Sequence, residues 1–171
     1  MTRADPPCPF DEFIVLTEVA EGWRLADAAF RRKFGHPAND FGHHLLALFD
    51  GGDSGWMPVS YVKYWKADGL MFSGGGCTDG RVLRRMNAAQ QAIVRDAGGV
   101  LLWLMRYAEQ RLCADGPGTF GYCGDERAWE VFDQVGYERT DHPHLIVRWH
   151  NRPDPGEAQA MIERVAALGP F

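Results

Sequence analysis

The stretch "RDAGGVLLWLMRYAEQRL", Arg95 to Leu112, decides how this chain is read. Two glycines, Gly98 and Gly99, stand directly before an apolar helical run, with Arg95 three residues ahead of them. In one reading residues 88–112 form a single helix. Ile93, Ala97, Val100, Leu104 and Ala108 recur at intervals of three and four on a common face, and the two interior glycines cost about 2 kcal/mol relative to alanine. In the other reading a helix begins at the pair. The first turn of a helix carries free backbone N–H groups and a partial positive charge, which suits a phosphate, and glycine lets a ligand approach the backbone closely. Between Arg81 and Arg95 lie Arg81, Arg84, Arg85 and Arg95 and no acidic residue. Such a run is a solvated basic face or the lining of an anion site, and its position beside the glycines favours the anion site.

The bulk properties bound the answer. A chain of 171 residues suffices for one domain with a proper core. Its 46% hydrophobic and 24% charged content is that of a globular protein. The expected organisation is a single domain over 1–171, flexible over 1–10 and closed by a C-terminal helix over 153–171. A formal net charge of −5 argues against a nucleic-acid partner, which would require a basic footprint. Cys8, Cys77, Cys113 and Cys123 lack the close spacing of a disulfide framework or zinc knuckle, so reduced thiols in a cytoplasmic protein are expected. The first residues contain no apolar core of signal-peptide length, and no apolar run is long enough to span a bilayer, so no membrane partner is expected.

Along the chain, Phe13–Val19 reads as a strand, and "EGWRLADAAFRRKFG" as a helix with Gly35 at its C-cap. "HHLLALFDGGDSG" predicts a short buried strand entering a Gly/Asp turn. In "MPVSYVKYW", Val59, Tyr61 and Tyr64 or Trp65 alternate with Ser60 and Lys63, which predicts a strand with one wet face. Leu70–Gly76 follows as the third strand of an antiparallel meander. A helical signal from Asn87 to Leu112, a short strand at "GTFGYCG", and a helix from Asp125 to Gly136 come next. "PHLIVRWH" predicts a strand, and "PDPGEAQAMIERVAAL" a final amphipathic helix. That order defines one α+β domain.

The element order resembles the GNAT superfamily of acetyl-CoA-dependent N-acyltransferases. Arg95 and Gly98 fit that family's pyrophosphate-binding pattern of Arg or Gln, two residues, Gly, one residue, then Gly or Ala; Val100 stands where the small residue is expected. "RAWEVFDQVGYERT" resembles the family's fourth helix and following strand through Ala128, Phe132, Gly136 and Tyr137. The strands around "HHLLALFDGG" and "MPVSYVKYW" resemble its central meander. The resemblance spans Phe13 to Trp149. It implies a GNAT-like mixed, mostly antiparallel central sheet flanked by helices, and transfer of an acetyl or other acyl group from acyl-CoA to an amine. There are departures. "CTDGRVLRRMNAAQQAIV" separates the presumed strand from the glycines, so these residues form an extra helical turn or the cofactor loop is instead Gly74-Gly75-Gly76. Phe132 occupies the place of a tyrosine that often serves as general acid, and phenylalanine has no proton to give.

The chemistry such a transfer needs selects the remaining candidates. The attacking amine must lose a proton, the developing oxyanion needs donors, and the thiolate must leave. Candidates for proton removal are His43, His44, Glu130 and His144. Tyr122 and Cys123 are candidates beside the leaving thiolate, with Tyr122 the better donor. Cofactor contacts are expected from Arg95, Gly98 and Gly99, with Arg84 or Arg85 on phosphates. No metal is expected: neither His142, His144 and His150 nor His36, His43 and His44 has a cysteine or carboxylate spaced to complete a set. No nucleophile elbow or P-loop is present. The acceptor is expected to be a small-molecule amine or a peptide, with Trp23, Phe30, Tyr61, Tyr64 and Trp65 lining its pocket or filling the core. A homodimer is compatible with the sequence. The alternative is a catalytically degenerate module of the same fold that binds CoA or another ligand in a regulatory role.

Overall fold

Strand propensity and the turn residues between strands set up the sheet. In the computed structural model, which describes residues 7–113 and 116–171, β1 (Ile14–Glu18), β2 (His43–Asp50), β3 (Trp56–Ala67) and β4 (Leu70–Thr78) form an antiparallel run. β5 (Gly118–Tyr122) joins β4 in parallel. β7 (Leu145–Trp149) pairs antiparallel with β5, and the two-residue β6 (Glu138–Arg139) closes the edge. The sheet order is β1-β2-β3-β4-β5-β7-β6. This is the α+β, mixed and mostly antiparallel sheet expected above.

Among the described residues six α-helices flank it: α1 (Gly22–Phe34), α2 (Gly80–Leu83), α3 (Ala88–Asp96), α4 (Val100–Leu112), α5 (Glu126–Val135) and α6 (Pro155–Ala166). α1 ends where Gly35 adopts a left-handed φ of 78° and its N–H bonds the Arg31 carbonyl. Asp125 caps α5 through the Arg127 N–H, and Asp154 caps α6 through the Glu157 N–H. Alternation along the strands divides the core into two faces. Leu45, Val62, Tyr64, Met71 and Ile146 meet α4 residues Leu102, Leu104, Met105 and Ala108 on one face. On the other, Leu46, Tyr61 and Cys77 pack against Ala26 and Phe30 of α1, and Phe72, Phe120 and Val147 pack against Val165 of α6.

Several expectations need correction. β3 has no wet face: Ser60 and Lys63 are both buried, because helices or connecting segments cover both sides of this central strand. The segment 79–97 is more than an extra turn. It folds into α2 and α3, the latter started by an Asn87–Gln90 capping box. His144, expected at the start of the "PHLIVRWH" strand, lies with His142 in the turn before β7 and has a φ of 66°. The expectation of a flexible 1–10 lies, for 1–6, outside the described residues; Phe10 is fully buried.

Candidate functional site

The glycine pair is a break between helices. Gly98 and Gly99 both take positive φ, 84° and 95°, and their N–H groups return to the Arg95 and Val94 carbonyls to close α3. α4 then starts at Val100 with no side-chain cap on its free amides. The φ of 84° would strain any side chain at Gly98, whose Cβ would also crowd Leu102 Cδ2 at 2.8 Å and Gln134 Oε1 at 3.3 Å. The continuous-helix reading is therefore excluded.

The alternative loop, Gly74-Gly75-Gly76, lies within β4 and forms a bulge. Tyr61 pairs with Cys77 and Lys63 with Gly74, so Val62 faces two residues, Gly75 and Gly76. Gly75 has a φ of 68°, and a Cβ there would meet Phe30 Cε2 at 2.6 Å. β4 and β5 pair only over Met71–Ser73 and Thr119–Gly121, although β4 continues to Thr78. Beyond Ser73 the two strands part, and among the described residues no strand pairs with that side of β4. The N-terminus of α4 stands at this open end: a Cβ built on Gly76 would lie 3.6 Å from Leu101.

Cations gather at the same end of β4. Arg32 and Lys33 of α1, with Arg81 and Arg84, line a depression of about 330 Å³ beside Thr78, Asp79 and Gly80. Lys33 Nζ donates to the Gly76 carbonyl at 2.8 Å, and Arg32 pairs with Asp79 at 2.6 Å. Of the arginines singled out in the sequence, Arg81 and Arg84 belong to this group. Arg85 instead donates to Ser54 Oγ beside the β2–β3 connection. Arg95 is exposed on the last turn of α3 and lies 3.5 Å from Asp96. Arg32 and Lys33 escaped the sequence reading because they are 47 and 43 residues from Asp79 and Gly76 in the chain.

On the α1 face of the bulge lies a cavity of about 170 Å³ whose walls include Phe30, Phe34, Tyr61, Lys63, Trp65 and Gly75. Thus Phe30, Tyr61 and Trp65 of the aromatic set reach a pocket. Tyr64 instead lies in the core bonded to Glu109, and Trp23 packs with the α1 cluster. Behind Tyr61, the His44 Nδ1 lies 2.9 Å from the phenol oxygen. Burial lowers the His44 pKa and raises that of Tyr61, so both are neutral near pH 7. The Phe171 ring closes the mouth, with its centroid 5.7 Å from Trp65, 4.9 Å from Phe72 and 4.9 Å from Tyr122.

The remaining candidates divide by position. Tyr122 is half-buried at the end of β5, beside the parting strands. His43 is committed elsewhere: its Nδ1 lies 2.7 Å from Glu18 Oε1, and Glu18 also accepts from Arg111 in the last turn of α4, the end opposite the glycine pair. The His43 hydrogen bond is the main cause of a lowered Glu18 pKa. Glu130 is exposed on α5. Phe132 stacks edge-on against Tyr137 at 5.0 Å. Cys123 donates to the Asp125 carbonyl, and burial raises its pKa.

One buried charge was missed entirely. Glu109 of α4 accepts hydrogen bonds from Tyr64 (2.9 Å) and Tyr137 (2.6 Å) on one oxygen. Its other oxygen faces Thr119 (3.3 Å), His150 (3.2 Å) and Arg148 (3.3 Å). Burial pushes its pKa up, but the bonds from His150 and Tyr137 and the Arg148 charge outweigh that and hold it below the usual value. Ligand atoms of Glu109, Cys113 and His150 come within 4.8 Å of one another. The Arg148 guanidinium already supplies positive charge there, and burial pushes the Cys113 thiol up to about 12, so the set reads as an ion-pair core.

No protein-family model matches the chain, and no curated protein matches it in sequence. Among solved structures it is similar to an acetyltransferase of the GNAT family from Bacillus anthracis, with 10% identity over 81% of this chain and 96% of that one and a TM-score of 0.46. It is also similar to a chain in the KacTA–DNA complex, with 10% identity over 88% and 99% of the two chains and a TM-score of 0.44. Neither likeness assigns a role to any residue here. Among the described residues no helix is long and apolar enough to cross a membrane.

Proposed function

We propose that the protein is a GNAT-type acyltransferase that moves an acetyl or other acyl group from acyl-CoA to an amine. The observation that carries the reading is the helix break at Gly98-Gly99, which puts the uncapped start of α4 beside the open end of β4. The α4 amides would hold the pyrophosphate, and Arg32, Lys33, Arg81 and Arg84 supply charge for phosphates at the same end. Bound acyl-CoA supplies an acyl group activated as a thioester. The chain's own residues do the rest. Backbone N–H groups on the unpaired side of β4 polarise the carbonyl. The acceptor enters from the α1 face and loses its proton to His44 through the Tyr61 hydroxyl. Tyr122, at the mouth, protonates the departing thiolate in place of the phenol missing at Phe132.

Calorimetric titration with CoA tests the cofactor claim: saturable binding is expected, and none at millimolar ligand overturns it. Arg84→Ala and Arg95→Ala should each weaken CoA by about 1 kcal/mol, roughly fivefold, the scale of one charge-assisted hydrogen bond at an exposed site. The second reading, a CoA-binding module without catalysis, is favoured by Phe132. It predicts CoA binding with no release of free thiol against a panel of amines.

A further inference from the structure

Lys63 is more than nine-tenths buried, and among the described residues its ammonium makes no side-chain hydrogen bond or ion pair. Instead its Nζ lies 3.8 Å from the Phe41 ring centroid and 4.5 Å from that of Trp65. The side chain opens into the cavity on the α1 face, opposite Gly74 of the bulged strand. Among the described residues no carboxylate side chain lines that cavity; its other titratable side chains are Tyr61 and His36. A buried cation without a counter-ion is costly, and aromatic faces replace only part of its lost hydration. A cavity with such a cation and no acidic side chain disfavours an ammonium ion alone and favours a guest that brings a negative charge. The walls left over, Phe30, Phe34 and Trp65, are flat and apolar.

We propose that this cavity binds a small carboxylate carrying an aromatic or apolar group, with the carboxylate on Lys63 Nζ. Resting on the acyltransferase reading, this makes the acceptor an amine that also carries a carboxylate, an amino-acid-like molecule, with Lys63 as its specificity determinant. Lys63 holds the acid end, the aromatic walls hold the side group, and the amine is left toward Gly74 and Gly75, where β4 parts from β5.

The probes are 3-phenylpropionate and its neutral isostere 3-phenylpropionamide, titrated into the full chain without CoA and followed by NMR or calorimetry. The carboxylate is expected to bind at least tenfold more tightly than the amide. Lys63→Met should reduce the ratio to within twofold, and Lys63→Arg, which keeps the charge, should preserve a preference. Equal binding of the two probes, binding of neither at millimolar concentration, or an unchanged ratio in Lys63→Met overturns the proposal. The wild-type comparison stands even where a variant fails to fold. A carboxylate preference in a chain that does not bind CoA sinks the acyltransferase reading and leaves the anion pocket. CoA binding without the preference does the reverse.

Discussion

A lysine ammonium taken out of water loses hydration that two aromatic rings restore only in part. At Lys63 burial accordingly lowers the pKa from 10.5 to about 8. The stability consequence has a definite sign. Between about pH 8 and pH 10.5 the unfolded chain binds a proton on Lys63 that the folded chain does not, so the folded state gains as pH rises through that window. Below pH 8 the buried charge is a full burden. Lys63→Met is expected to stabilise the protein by about 2 kcal/mol at pH 7, with the gain fading toward pH 10; denaturant melts at the two pH values measure it. The other titratable groups facing Lys63 are Tyr61, His44 and His36, and burial keeps Tyr61 protonated and His44 neutral across the window. A gain equal at both pH values would contradict this account. Nothing in "MPVSYVKYW" announces it. Lysine in a strand ordinarily marks the solvent side, and here only the distant Phe41, Phe30 and Phe171 make that side dry. His44, by contrast, was picked out for its chemistry, and its pairing with Tyr61 emerges only in register.

Between elements, one buried carboxylate fastens α4 to several strands at once. Glu109 gathers Tyr64 of β3, Thr119 of β5, Arg148 of β7, Tyr137 beyond α5, and His150 just past β7. Removing one partner of a buried ion pair costs about 3 kcal/mol or more, so Glu109→Ala should lower stability by about 3 kcal/mol in denaturant melts at pH 7. Because its folded pKa lies below the unfolded value, the benefit is present above about pH 4.5 and is lost as pH falls through the lowered pKa. Glu109→Gln and the unaltered chain should therefore converge in stability at low pH, and divergence there would refute the assignment. Local rules carried much of the element reading. Gly35 and Gly136 end α1 and α5 in left-handed turns, and Asp125 and the Pro155 start of α6 sit where capping chemistry requires them. Glu109 was invisible for the opposite reason. Its position inside an apolar helix resembles one wet stripe, and its partners lie as far as 45 residues away in sequence. The two-residue β6 carries too few residues for any periodicity to register.

Across the molecule, the two sides of the sheet do different work. α3, α4 and α5 close the larger core on one side, while α1 and α6 leave a gap on the other, where the bulge of β4, Lys63 and Phe171 meet. The α+β order and the meander were legible because hydrophobic alternation and turn residues are local signals. The gap was not, since it depends on how two helices far apart in sequence settle on the same side of the sheet. Phe171 stands in it as a stopper touching β3, β4 and β5 at once. Trp65 lies nearly parallel to Phe72 at 5.6 Å, with Phe171 edge-on at 5.7 Å and the Lys63 ammonium over its face. A guest that displaces the stopper or neutralises the ammonium alters the field on that indole. The protein thus contains its own optical gauge of occupancy: 3-phenylpropionate should shift the tryptophan emission, and Trp65→Phe should silence the change while the other five indoles stay dark to it.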